Sequence, residues 1–256
     1  MRPLEGKRVL VTRAREQADD LCDALAREGA TPVRFPAIQI RPVADLAPLD
    51  EAIDRLENYD WLGLTSVNGV RIFLDRVRAR GRHLPSTLRI AAVGPSTAQA
   101  LEDQGIRVDF IPEAYRGDRM AEGMGSMTER RVLLPRALGA RPALPEALTA
   151  AGAEVYDLAI YRTVPAVPAP ESLVELERGV DIATFTSAST VRCFRAIVGG
   201  DAARALGSAL IACLGPLTAD AARGAGLRVA LQPLEYTAEG LVNALVRHCR
   251  PEQALP

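Results

Sequence analysis

At 256 residues and a formal net charge of −1, the chain is long enough for two domains with full cores, and it offers no electrostatic reason to expect nucleic acid or an anionic membrane as partner. Lys7 is the only lysine and precedes a strand, which argues against Schiff-base chemistry. The four cysteines lack CxxC spacing and the two histidines, His83 and His248, lie far apart, so neither a disulfide framework nor a metal centre is expected.

Lys7-Arg-Val-Leu-Val-Thr12 is a β-branched run, followed by a helix from about Glu16 to Glu28 that Gly29 stops. Pro32 to Pro36 is a second strand, and the proline-flanked stretch Ala37 to Val43 an extended connector. Leu46, Leu49, Ile53 and Leu56 mark a helix over Asp45 to Asn58, and Asp60 to Thr65 a strand. Val70, Phe73, Leu74 and Val77 define the next helix. Arg89 to Val93 is a strand that turns at Gly94-Pro95 into a helix, and Gly105 leads to a strand ending at Pro112. Tyr115 to Met127 is polar and predicted helical. No apolar run has signal-peptide or membrane-spanning character, so a soluble cytoplasmic protein is expected.

The pattern then restarts. Ile90-Ala-Ala-Val-Gly-Pro-Ser-Thr97 recurs as Ile211-Ala-Cys-Leu-Gly-Pro-Leu-Thr218, an offset of 211 − 90 = 121. Arg130-Arg-Val-Leu-Leu-Pro-Arg136 answers the first strand at an offset of 123, and Asp181 to Phe194 echoes Asp60 to Phe73. Two tandem copies of alternating strand and helix imply parallel sheets covered on both faces. Glu154 to Tyr161 repeats the strand and connector, so the connectors fall at the same place in each copy, and each copy could close on itself or exchange its opening βαβ with the other.

Ligands of such sheets bind beyond the carboxyl ends of strands, where helix starts present unpaired N–H groups. Those ends carry Thr12 and Arg13, Thr65, Ser66 and Asn68, Gly94, Ser96 and Thr97, Arg136, Thr186, Ser187 and Ser189, and Gly215 and Thr218. Each alone has an ordinary account, since Ser, Thr and Asn cap helices and Gly-Pro leaves a strand. Together they suit an anionic ligand, with Arg13 and Arg136 as matched carboxylate partners. No GxGxxG, Walker-type loop or GxSxG elbow is present. Tyr161 is a phenol in the second connector that either packs or does chemistry.

The ensemble resembles the uroporphyrinogen-III synthase family. The resemblance rests on Val9-Leu-Val-Thr-Arg13, Phe35-Pro-Ala-Ile38, the Thr-Ser pairs at 65–66 and 186–187, Ala92 to Thr97, Tyr161-Arg-Thr163 and Ala212 to Thr218. It implies an α/β fold of two flavodoxin-like, doubly wound parallel-sheet lobes. Lobe 1 would be 1–37 plus 166–256, lobe 2 44–159, and 38–43 with 160–165 a two-stranded linker, the substrate lying in the cleft between. The implied reaction closes hydroxymethylbilane, a linear tetrapyrrole, into uroporphyrinogen III with inversion of ring D and loss of water, and without a cofactor. It further implies a monomer with no nucleic-acid or membrane partner, and transient contact with the preceding pathway enzyme. By position Tyr161 matches the family's linker tyrosine, Thr218 its cleft threonine and Ser187 its cleft serine. Leu217 and Leu210 depart from residues found in the family. A non-catalytic two-lobed anion-binding or regulatory protein of the same fold is the competing reading.

Overall fold

The computed structural model describes residues 2–112 and 123–250. The expected helix over Tyr115 to Met127 falls mostly outside them. The described chain forms two compact units, 1–39 with 164–256 and 40–163.

The first unit holds a parallel five-stranded sheet. Its strands are β1 (Arg8–Val11), β2 (Thr31–Arg34), β8 (Ile182–Phe185), β9 (Leu210–Cys213) and β10 (Val229–Leu231), in the order β10-β9-β8-β1-β2. Of the two foldings left open by the sequence, the one present pairs β1 with β8, in the register Val9 to Ile182. Alternation along β1 puts Leu10 on one face, in a cluster with Phe35, Phe185, Phe194, Leu176 of α6 (Pro170–Glu177) and Leu206 of α8 (Ala202–Leu206). Val9 and Val11 point to the other, against Leu21 and Leu25 of α1 (Asp19–Arg27) and Leu241 and Leu245 of α10 (Ala238–Cys249). Both faces are therefore buried, as an all-parallel sheet requires. The helix expected from Glu16 opens instead as a 3-10 turn, Arg15–Gln17, before α1.

The second unit is contiguous. Its sheet has the order β3-β7-β6-β4-β5, built from β3 (Ile38–Pro42), β4 (Trp61–Leu64), β5 (Arg89–Ala92), β6 (Arg131–Ala137) and β7 (Glu154–Pro165), and β5, β4, β6 and β7 run parallel. Leu62, Leu64 and Leu133 pack under α2 (Ala47–Asp54), α3 (Val67–Ala79) and α4 (Pro95–Glu102). Trp61, Val132 and Leu134 pack on the other face with Leu144 and Leu148 of α5 (Ala143–Ala150). The four apolar positions that define α3 in the sequence are all buried. The strand expected before Pro112 is reduced to one bridge, Ala91 to Phe110. Its cause is Asp109, whose carboxylate accepts the Ile90 N–H at 2.8 Å and so takes a ladder donor. In the second copy the matching position is Ala230, which cannot compete, and β10 forms.

Among the described residues no helix is long and apolar enough to cross a membrane, and no group of three or more His, Cys, Asp or Glu side chains could hold a metal ion.

Candidate functional site

Because the strands around each helix start are parallel, the predicted residues collect at the carboxyl edge of each sheet. In the second unit β4 ends at Leu64, and Ser66 is the N-cap of α3, its Oγ accepting the Gly69 N–H at 3.0 Å. Gly69 lets this turn approach closely: a Cβ there would sit 3.2 Å from Ser66 Oγ and 3.5 Å from the Pro135 carbonyl at the end of β6. Tyr161 lies on β7 level with Ala137, and the Leu138 N–H donates to its carbonyl. Its hydroxyl is 2.7 Å from Ser66 Oγ. Two residues 95 positions apart, both singled out from the sequence, thus share one hydrogen bond. Burial raises the Tyr161 phenol above its ordinary value, opposed by the bond with Ser66, so the phenol is protonated at neutral pH.

The same edge carries the Gly94-Pro95 turn. Gly94 caps α4 with φ +93° and no side-chain cap, Ser96 is exposed and Thr97 buried. Thr65 and Asn68 flank Ser66, half-buried. Arg136 is nearby but occupied: it is 5 % exposed, its Nε donates to Asp157 Oδ1 at 2.7 Å, its Nη2 to Asp157 Oδ2, and its Nη1 to the Arg141 carbonyl. The expected carboxylate-gripping arginine already grips a carboxylate of its own chain.

In the first unit Ser187 caps α7 (Ala188–Ile197) through a capping box with Thr190, beside the half-buried Thr186 and Ser189. Gly215 opens α9 (Pro216–Gly224) in extended backbone, again without a side-chain cap, and Thr218 is buried in the first turn. Thr12 needs correction as a ligand group. It is fully buried, its hydroxyl donates to the Thr184 carbonyl at 2.8 Å, and the Thr184 hydroxyl returns a bond to Leu10. Arg13, next to it, is half-buried and has no hydrogen bond or ion pair among the described residues. Burial lowers its basicity, offset in part by Asp20. A half-buried guanidinium that makes no hydrogen bond of its own keeps its donors for an anion.

Tyr236 was not singled out from the sequence. Its ring carbons lie 3.8–3.9 Å from where a Gly215 Cβ would be. The only lysine lies at the opposite edge, in a cavity of about 490 Å³ lined in part by Asp181, His248 and Cys249, with Lys7 Nζ 3.6 Å from Asp181 Oδ1.

The family model described as Uroporphyrinogen-III synthase HemD matches residues 19–243. A uroporphyrinogen-III synthase of Synechococcus elongatus is 32% identical over 97% of both chains. The porphyrin biosynthesis protein HemD of Ruminiclostridium josui is 32% identical over 96% of this chain and 49% of its own length. In fold, the chain is similar to a mutant uroporphyrinogen III synthase from the extremely thermophilic bacterium Thermus thermophilus, with a TM-score of 0.65 and 22% identity over 94% of this chain and 98% of that one. A uroporphyrinogen-III synthetase from Helicobacter pylori gives 0.60 and 15% over 94% and 99%. Family model, relatives and fold agree over nearly the whole length: the chain belongs to the uroporphyrinogen-III synthase family.

Proposed function

We propose that this chain closes hydroxymethylbilane into uroporphyrinogen III, inverting ring D and releasing water without a cofactor, and that it does so on two flavodoxin-like lobes that arose by tandem duplication. Family membership supports the activity, and the strand order β2-β1-β8-β9-β10, which is the flavodoxin order 2-1-3-4-5, supports the lobe reading. The chain passes between its two units within β3 and β7, consistent with 38–43 and 160–165 as linker strands.

The observation that carries the mechanism is the Ser66–Tyr161 hydrogen bond at a strand-end edge. The phenol donates its proton to the departing hydroxyl, the C–O bond breaks, and water leaves an azafulvenium cation opposite the tyrosinate. The substituted carbon of ring D attacks to give a spiro intermediate. After its rearrangement, the proton released as the last pyrrole regains aromaticity returns to Tyr161. Ser66, fixed by Gly69, holds the phenol's direction. General-acid help of this kind is worth on the order of 10²–10⁴ in rate. Regiochemistry is a matter of orientation. For that, the Ser96 N–H in the first turn of α4 and the Leu217 N–H in the first turn of α9 serve substrate carboxylates, and Arg13 offers charge.

The test is to feed freshly made hydroxymethylbilane to the purified protein and separate the oxidised isomers. Isomer III is expected; isomer I alone would leave the non-catalytic reading of the same fold. Tyr161→Phe should lower kcat at least about tenfold with KM within about threefold, because it removes a proton and little surface. A wild-type kcat would reduce the phenol to a packing residue.

A further inference from the structure

We infer that Tyr236, with Leu217, forms an apolar platform at the Gly215-Pro216 turn that takes the face of one pyrrole ring of the substrate. The inference rests on the tetrapyrrole reading above and adds to it a group that binds rings rather than carboxylates. Tyr236 is 38 % exposed, Leu217 49 % and Leu234 93 %. They are three of the eight exposed large hydrophobic residues among those described, and all three belong to the segments that open α9 and α10. A surface meant only for carboxylates has no use for them, and exposed apolar area is unfavourable unless a ligand covers it.

The ring is also held in place. Cγ, Cδ1 and Cδ2 of Tyr236 lie within 3.8–3.9 Å of the Cβ position that Gly215 leaves empty. Behind it, Thr237 caps α10 by accepting the Gly240 N–H at 3.0 Å, and the Thr237 N–H donates to the Glu235 carbonyl at 2.9 Å. That carbonyl lies 2.3 Å from where a Gly240 Cβ would stand, so only glycine permits the turn. Tyr236 is therefore presented on a tight, twice-bonded turn, and a fixed aromatic face loses little entropy on binding. Pyrrole rings are planar and electron-rich, which suits offset stacking or edge contact with a phenol ring. At the same turn Pro216 has no N–H and the Thr218 and Ala219 N–H groups bond the Gly215 carbonyl, which leaves the Leu217 N–H for an acetate or propionate arm of the pyrrole.

The test is steady-state kinetics with fresh hydroxymethylbilane on wild type, Tyr236→Ala, Tyr236→Phe and Leu217→Ala, with folding checked by circular dichroism. Tyr236→Ala should raise KM about 3- to 10-fold, the range one aromatic pair supplies, with kcat within about twofold. Tyr236→Phe should behave as wild type, since the ring and not the hydroxyl binds, and Leu217→Ala should raise KM about two- to threefold, as loss of partial apolar contact does. An active wild type with an unchanged KM in Tyr236→Ala would overturn the platform and leave the enzyme reading intact. Equal losses in Tyr236→Phe and Tyr236→Ala would overturn it too, by pointing to the hydroxyl. A wild type that yields only isomer I would instead sink the function on which the inference rests.

Discussion

Gly94 and Gly215 open α4 and α9 from matching places in the repeated sequence pattern, yet they do not need glycine for the same reason. Gly94 has φ +93° and ψ 158°, a region essentially closed to residues with a Cβ. Gly215 has φ −156° and ψ 173°, ordinary extended backbone, and an added Cβ would make only van der Waals contact with Tyr236. Gly94→Ala should therefore cost about 1–3 kcal/mol, whereas Gly215→Ala should stay within about 0.5 kcal/mol. Urea unfolding of both variants against wild type reads the difference, and equal losses would refute it. The local grammar of strand ends was readable: Ser66 and Ser187 cap helices where the Thr-Ser pairs fall. Which side chains meet was not. The sequence marks Arg136 as a carboxylate partner but not which carboxylate it takes, because Asp157 comes from a strand 21 residues on. The sequence places Thr12 at a strand end that suits a ligand, and its bond to Thr184, across 172 residues, has no local signal. Nothing in the sequence brings Tyr236 beside Gly215, 21 residues before it; the fold alone does.

At the scale of elements, the two units each carry the same device at the amino ends of their strands. Asp60, just before β4, accepts the Arg131 backbone N–H at 2.9 Å and the Arg130 guanidinium at 2.6 Å, tying β4 to β6. Asp181, just before β8, accepts the Arg8 N–H at 2.8 Å and lies 3.6 Å from Lys7, tying β8 to β1. Helices and strands were legible because their periodicities are local, and the device was legible only as a repeated Asp opposite a repeated basic pair. The Arg131 N–H, followed by Arg130, holds the Asp60 carboxyl below its ordinary range, against the opposing effect of burial. A folded-state value below the unfolded one stabilises fully above the unfolded carboxylate range, near about 4, and that contribution fades as pH falls through it. Between about pH 5 and pH 3 wild type should thus lose more unfolding free energy than Asp60→Asn, whose amide does not titrate. Parallel acid limbs in the two denaturation series would show that the tie carries no charge-linked stability.

For the molecule as a whole, the unequal assembly of the two units has a consequence for folding. The second unit is one continuous run, 40–163, whereas the first must bring 1–39 to 164–256. Its joint is β1 against β8, locked by the paired Thr12 and Thr184 bonds, and by Arg8, which donates to the Gly179 and Glu175 carbonyls at 2.9 Å. These contacts span 167 to 174 residues, so they form late and against a large loop-closure cost. Without 1–39, β8 would become an open edge, and Leu241 and Leu245 of α10 would lose Leu21 and Leu25 of α1 from their shared cluster. Expressed separately, residues 40–163 should unfold in a single cooperative urea transition. Residues 164–256 should show none until a peptide of residues 1–39 is added, when helical circular dichroism and a transition should return together. A fragment 164–256 that melts cooperatively by itself would mean that β1 and α1 dock onto a finished scaffold. The exchange of the opening βαβ, which the sequence could allow but not choose, would then be an addition to that unit instead of the step that completes its core.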